Sequence, residues 1–119
     1  MRITISLLLL CLFCVFSSRA QNTYSVKGFV ADSSSNLKLV NTTISVLNAK
    51  DSILRKFTRA AENGSFTINN IGKGNFILMV TYPGYADYIE HFSLDSIKKQ
   101  HDFGKINLTL KSRLLADVL

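Results

Sequence analysis

Hydrophobic and polar positions fall into two regimes along the chain. Residues 3–16 are almost wholly apolar, broken only by Thr4 and Ser6. From Tyr24 onward, apolar residues recur at alternate positions in short runs, and clusters of Asn, Asp, Ser and Gly separate the runs. A period of two puts alternate side chains on one face of a pleated strand, so residues 24–110 read as strands and turns.

Seven strands are predicted. The first is residues 24–30, closed by the turn formers Asp32, Ser33, Ser34, Ser35 and Asn36, whose short side chains bond their own backbone. The second is residues 43–47, with Ile44 and Val46 on one face. Residues 52–59 fit either a strand or a short helix by pattern, and their neighbours favour a strand. Asn63-Gly64 marks a hairpin, because both residues tolerate positive φ. Phe66 and Ile68 follow on one face, and Gly72 and Gly74 mark the next connection. The run Phe76-Ile77-Leu78-Met79-Val80 predicts a central strand covered on both faces. Pro83-Gly84 ends it, residues 85–94 form the sixth strand, and residues 95–100 suit one helical turn capped by Asp95. Residues 105–110 alternate most clearly of all. Seven short strands at this spacing predict an all-β fold: a two-sheet, seven-stranded antiparallel β-sandwich of the Ig-like kind, preceded by a signal-peptide helix. The expected core is Val26, Phe29, Ile44, Val46, Phe66, Ile68, Phe76, Leu78, Val80, Ile89, Phe92, Ile106, Leu108 and Leu110.

The first 20 residues read as an address. Arg2 supplies early positive charge, the apolar run follows, and Ser18 and Ala20 stand at −3 and −1 of a cut before Gln21. The run is shorter than the roughly 20 residues that a bilayer-spanning helix needs. Leu10 precedes Cys11 and Phe13 precedes Cys14, whereas lipoprotein processing wants a small residue there. Removing this leader removes both cysteines, and with them disulfides, cysteine zinc sites and a thiol nucleophile. It also removes Arg2 and Arg19, which takes the net charge from +6 to +4. The domain division is thus a signal peptide at 1–20, a β-sandwich at 21–110 and an extended tail at 111–119.

Candidate chemistry is sparse. His91 and His101 have no cysteine partners in the exported chain and read as two surface imidazoles, so no metal ligands are assigned. No strand–turn elbow surrounds any serine, so no catalytic residue is assigned. Gly72-Lys73-Gly74 lacks the Walker spacing and reads as a turn, so no cofactor is assigned. The lysines are scattered through strands and turns, which argues against nucleic acid as a partner. Tyr24, Tyr82, Tyr85 and Tyr88 could offer flat faces to a sugar ring, and Tyr82, Tyr85 and Tyr88 are the ligand platform to test, with a glycan as partner. Asn41, Asn63 and Asn107 open N-glycan triplets, and Asp51-Ser52-Ile53 and Asp95-Ser96-Ile97 match an O-glycan triplet of exported Bacteroidetes proteins.

Four segments carry a resemblance. Val26-Lys27-Gly28-Phe29-Val30-Ala31-Asp32 resembles the opening V-x-G-x-V-x-D strand of carboxypeptidase regulatory-like domains. Residues 39–46 resemble that family's second strand, Asn63-Gly64-Ser65-Phe66 its hairpin, and residues 74–80 with Pro83-Gly84-Tyr85 its G-x-Y-x-L-x-V and G-Y signature, with Phe76 in place of the usual Tyr. The first loop, residues 33–39, lacks the family's usual glycine and proline. The resemblance implies a transthyretin- or prealbumin-like sandwich without catalytic activity. In Bacteroidetes, a signal peptide followed by this module opens TonB-dependent receptors and related outer-membrane β-barrel proteins. It therefore implies a module at the periplasmic face of the outer membrane, which it would reach only through a downstream barrel absent from this chain. Leu115-Ala116-Asp117-Val118-Leu119 resembles the segment that pairs with a TonB-type energising protein, making Leu115, Asp117 and Val118 the expected partner strand. The alternative is a free-standing secreted carbohydrate-binding or adhesion domain. A third reading is a small hydrolase or ligand carrier, which an apolar cavity or a His–carboxylate cluster would favour.

Overall fold

The computed structural model describes residues 1–14, 24–35 and 37–118. Its elements in chain order are α1 (Arg2–Cys14), β1 (Ser25–Asp32), β2 (Thr43–Asn48), β3 (Leu54–Arg59), β4 (Ser65–Ile68), β5 (Gly74–Thr81), β6 (Tyr88–Leu94), β7 (Gln100–Leu108) and α2 (Lys111–Val118). No described helix is long and apolar enough to cross a membrane. The cleavage site expected at Ser18, Ala20 and Gln21 lies outside the described residues, as does Asn36 of the first turn.

The seven strands form two sheets, ordered β4-β1-β7 and β3-β2-β5-β6. Their inward side chains make one core drawn from residues 26–108, with Val26, Ile44, Val46, Leu78 and Val80 fully buried. Every core residue among those described lies between Val26 and Leu108, so the sandwich holds its own apolar interior. Of residues 52–59, those from Leu54 to Arg59 form strand β3, paired against β2.

One pairing departs from the antiparallel expectation: β1 and β7 run parallel. The turn at 95–99 reverses the chain between β6 and β7, and the reversal sends β7 back beside β1 in the same direction. The helical turn expected at 95–100 is absent. Asp95 instead accepts from the backbone N–H groups of Ile97 and Lys98 at 2.8 and 2.7 Å, closing a tight turn. β7 then starts early, at Gln100, because His101 and Phe103 pack against Phe92 with ring centroids 5.7 and 5.2 Å away.

Three expected core residues are misplaced. Phe29 and Ile89 face solvent, 51% and 58% exposed, and Leu110 is only partly buried. Strict alternation explains the first two. In β1 the inward positions are Val26, Gly28 and Val30; in β6 Phe92 and Leu94 point in, so Ile89 points out. Leu39, Ala60 and Ile71, all in connections, complete the core from outside the strands. β5 lies inside its sheet as expected, and Phe76, Leu78 and Val80 are buried. No described element packs over its other face: Ile77 and Met79 are half-buried on a surface where Leu54, Phe57 and Ile89 stand exposed.

The tail is a second correction. Residues 111–118 form helix α2, not an extended segment. The strand course ends when Leu110 bridges to Tyr85 and the Lys111 N–H donates to the Gly84 carbonyl at 3.0 Å. Beyond that point Lys111, Arg113, Leu114, Leu115 and Ala116 are all good helix formers. Leu115, Asp117 and Val118, expected as a partner strand, therefore lie in a helix, whose N–H groups are engaged along its own axis and cannot template strand addition.

Candidate functional site

The family-like segments converge at one end of the sandwich. β1 ends on Asp32, which is 5% exposed. Its Oδ1 accepts from the Ser34 backbone N–H at 2.7 Å, the Ser34 hydroxyl at 2.5 Å and the Ser35 N–H at 3.2 Å. Its Oδ2 accepts from the Tyr85 hydroxyl at 2.5 Å, across 53 residues of sequence. These bonds favour the ionised carboxylate. The Ser34 hydroxyl has the largest effect, then the Tyr85 hydroxyl, and together they hold Asp32 well below the usual carboxylate range. The same bond to Asp32, reinforced by desolvation, pushes the Tyr85 phenol upward. Both oxygens of Asp32 are thus committed to holding the first loop and the Pro83-Gly84 turn together, and the group is no candidate base.

Tyr85 is consequently not part of a ligand platform. It is 7% exposed, with its hydroxyl directed inward to Asp32 and its ring edge-on to Tyr82 at 5.5 Å. Tyr82 and Tyr88 are partly buried against the core, and the Tyr88 hydroxyl donates to Glu90 at 2.8 Å. Tyr24 likewise packs against the core. Of the three rings expected to act together, Tyr85 is therefore withdrawn from solvent and Tyr82 and Tyr88 are only partly exposed. Beside it lies an open depression of about 370 Å³, bordered by Asn41, Thr43, Tyr82, Asp87 and Lys111. It offers one carboxylate and one ammonium to solvent, and no serine or cysteine faces them there.

The histidines divide. His91 is exposed on the outer face of the four-stranded sheet. His101, expected at the surface, is half-buried, with its ring 4.3 Å from that of Phe103 and its Nδ1 buried without a hydrogen-bond partner. Burial, then the nearby Lys98, pushes its pKa down, with Glu90 and Asp102 opposing. No group of three His, Cys, Asp or Glu among the described residues is placed to hold a metal ion. Gly72-Lys73-Gly74 leads straight into β5 rather than into a helix, so it presents no helix N-terminus to a phosphate.

Two other glycines show why the motifs read as they do. An added Cβ at Gly28 would lie 2.9 Å from Cζ of Phe66 and 3.0 Å from the Gly104 carbonyl oxygen. Gly64 adopts φ +83°, and its own carbonyl accepts from the Val30 N–H at 2.9 Å, seating the turn before β4 on β1. The hairpin expected at Asn63-Gly64 is instead a crossing between the sheets, because β3 pairs with β2 and β4 with β1.

This is a two-layer β-sandwich whose motif residues hold its loops together. Residues 25–110 match the carboxypeptidase regulatory-like domain family, and the chain belongs to it. No curated protein matches the chain. Solved structures share the fold. The group B streptococcus pilus 2b backbone protein is 14% identical with a TM-score of 0.55, over 76% of this chain and 42% of that one. The major pilin subunit of Bacillus cereus is 11% identical with a TM-score of 0.60, over 75% and 30%. The 3-chlorocatechol 1,2-dioxygenase of Rhodococcus opacus is 12% identical with a TM-score of 0.53, over 78% and 61%. This chain spans less than half the length of either pilus protein.

Proposed function

We propose that this chain is a non-catalytic positioning module that works outside the cytoplasm, as the periplasmic N-terminal module of an outer-membrane receptor or β-barrel protein. The observation that carries the reading is the engagement of Asp32 by Tyr85, Ser34 and Ser35. The most distinctive polar residues of the family-like motifs are used to hold loops, not to meet a substrate. The order of charge, apolar run and small residues in the first 20 positions supports export. The alternative, a secreted sugar-binding domain, loses its central ring to the core at Tyr85.

The test is to express the full chain with a C-terminal tag in a Gram-negative host, fractionate the cells and sequence the mature N-terminus. The expected result is a chain beginning at Gln21 in the periplasmic or outer-membrane fraction, and a reading frame that runs past codon 119 into a plug and barrel. A chain that keeps Met1 and stays in the cytosol overturns the export reading. An exported chain whose frame stops at once overturns the receptor context and leaves the secreted module.

A further inference from the structure

The outer face of the four-stranded sheet is organised in cross-strand rows. One row is Leu54, Leu47, Ile77 and His91; the next is Phe57, Ser45, Met79 and Ile89. The third begins Arg59, Thr43, Thr81, and Asp87 follows at its far end, one residue before Tyr88, which pairs with Val80. The first two rows are apolar except for His91 and for Ser45, a small side chain between two large ones and only 7% exposed. Leu54, Phe57 and Ile89 are 51%, 63% and 58% exposed. With the half-buried Leu47, Ile77 and Met79 they make roughly 400–500 Å² of continuous apolar surface, the size of the largest patch on an ordinary monomer, which is often functional. The third row is polar and asymmetric. Arg59 stands exposed at the β3 end and Asp87 exposed at the β6 end, and neither has an ion-pair partner among the described residues.

We propose that this face binds a second copy of the chain, about a two-fold axis running along the strands. Such an axis keeps each row level and exchanges its two ends, so β3 lies over the partner's β6. Arg59 then faces the partner's Asp87, Phe57 faces the partner's Ile89, and each contact occurs twice, as an isologous interface requires. An axis across the strands sets β3 on β3 and leaves Arg59 without its acid, so the charges select the first arrangement. Two sheets stacked this way pack about 10 Å apart with nearly aligned strands, as in a sandwich core. The pair buries roughly 800–1,000 Å² of apolar surface plus its polar rim, close to the lower bound of about 1,200 Å² for stable interfaces. The association is therefore reversible and concentration-dependent.

The test is sedimentation of residues 21–119, which carry the whole core, over a concentration series up to ~1 mM. The expected result is a monomer–dimer equilibrium that Ile89→Glu and Phe57→Glu abolish. Arg59→Asp or Asp87→Arg alone weakens the dimer about tenfold or more, by replacing an attraction with a like-charge contact. The double variant Arg59→Asp with Asp87→Arg restores it. A monomer at every concentration, or a dimer that tolerates Ile89→Glu, overturns the proposal. A dimer indifferent to the charge exchange overturns the arrangement. Capture of another protein by the wild-type face, with no self-association, assigns the face to that partner and overturns it as well.

Discussion

Gly28→Ala isolates the packing of the sandwich from every polar interaction. Gly28 is an inward position of β1, and Phe66 of the neighbouring strand β4 lies directly over it, in register. On the other side, β7 places both Phe103 and Gly104 opposite the same residue, since the β1–β7 register shifts between Lys27 and Phe29. A methyl at Gly28 would sit 2.9 and 3.0 Å from two Phe66 ring carbons and 3.0 Å from a backbone oxygen. Carbon contacts are favourable at about 3.5–4.0 Å, so the ring must retreat by roughly half an ångström or more. Phe66 is only 4% exposed and has little room to do so. Overpacking of this kind costs about 1–3 kcal/mol. Replacing glycine by alanine in a compatible backbone returns about 0.4–1 kcal/mol by restricting the unfolded chain. At the midpoints of the two ranges the net expectation is a loss of about 1.3 kcal/mol, and Tm falls by roughly 4–8 °C per kcal/mol for a domain of this size. Urea and thermal denaturation followed by circular dichroism read it. Phe66→Leu in the same chain makes space, so the double variant should lose less than the sum of the single losses. A Gly28→Ala variant as stable as the parent, or strictly additive behaviour in the pair, would refute the contact.

Three further predictions concern the ties between elements. Tyr85→Phe removes the cross-chain bond to Asp32, and denaturation should show lower stability at neutral pH with a smaller loss on acidification. The sign follows from the depressed Asp32 pKa. Its contribution is complete above the ordinary carboxyl value of 3.8, declines as pH falls below it, and is gone once the folded carboxyl is protonated, so an unchanged acid profile in the variant would contradict the tie. Gly64→Ala should destabilise more than Gly28→Ala in the same urea assay, because a side chain at φ +83° costs about 1–2 kcal/mol and its Cβ would lie 2.5 Å from the Val30 carbonyl oxygen. His101, with its pKa pushed below the ordinary 6.5, is protonated in the unfolded chain before the folded one, so stability should fall as pH drops through that value; His101→Phe should flatten this part of the profile in a Tm-versus-pH series.

Local signals gave most of the elements. The alternation in residues 43–47 and 105–108, the turn at Asn63-Gly64 and the stop at Pro83-Gly84 are short-range properties, set by the pleat and by backbone sterics within a few residues; that the turn crosses between sheets instead of closing a hairpin is not. The order of the motifs along the chain is itself enough to point to the family. Periodicity, however, specifies two faces without saying which is inward. That choice was made by neighbours remote in sequence. The ring of Phe66 claims the space above Gly28, so Phe29 turns out and Val30 turns in. Asp32 draws the Tyr85 hydroxyl inward from 53 residues away, which removes it from the surface where three tyrosines had suggested a platform. The parallel β1–β7 pair joins strands about 70 residues apart, and the rows that set Arg59 level with Asp87 exist only once β2, β3, β5 and β6 are in register. Such pairings repay their loop-closure entropy only through the apolar area that the assembled sheets bury, so no single stretch of sequence carries their signature.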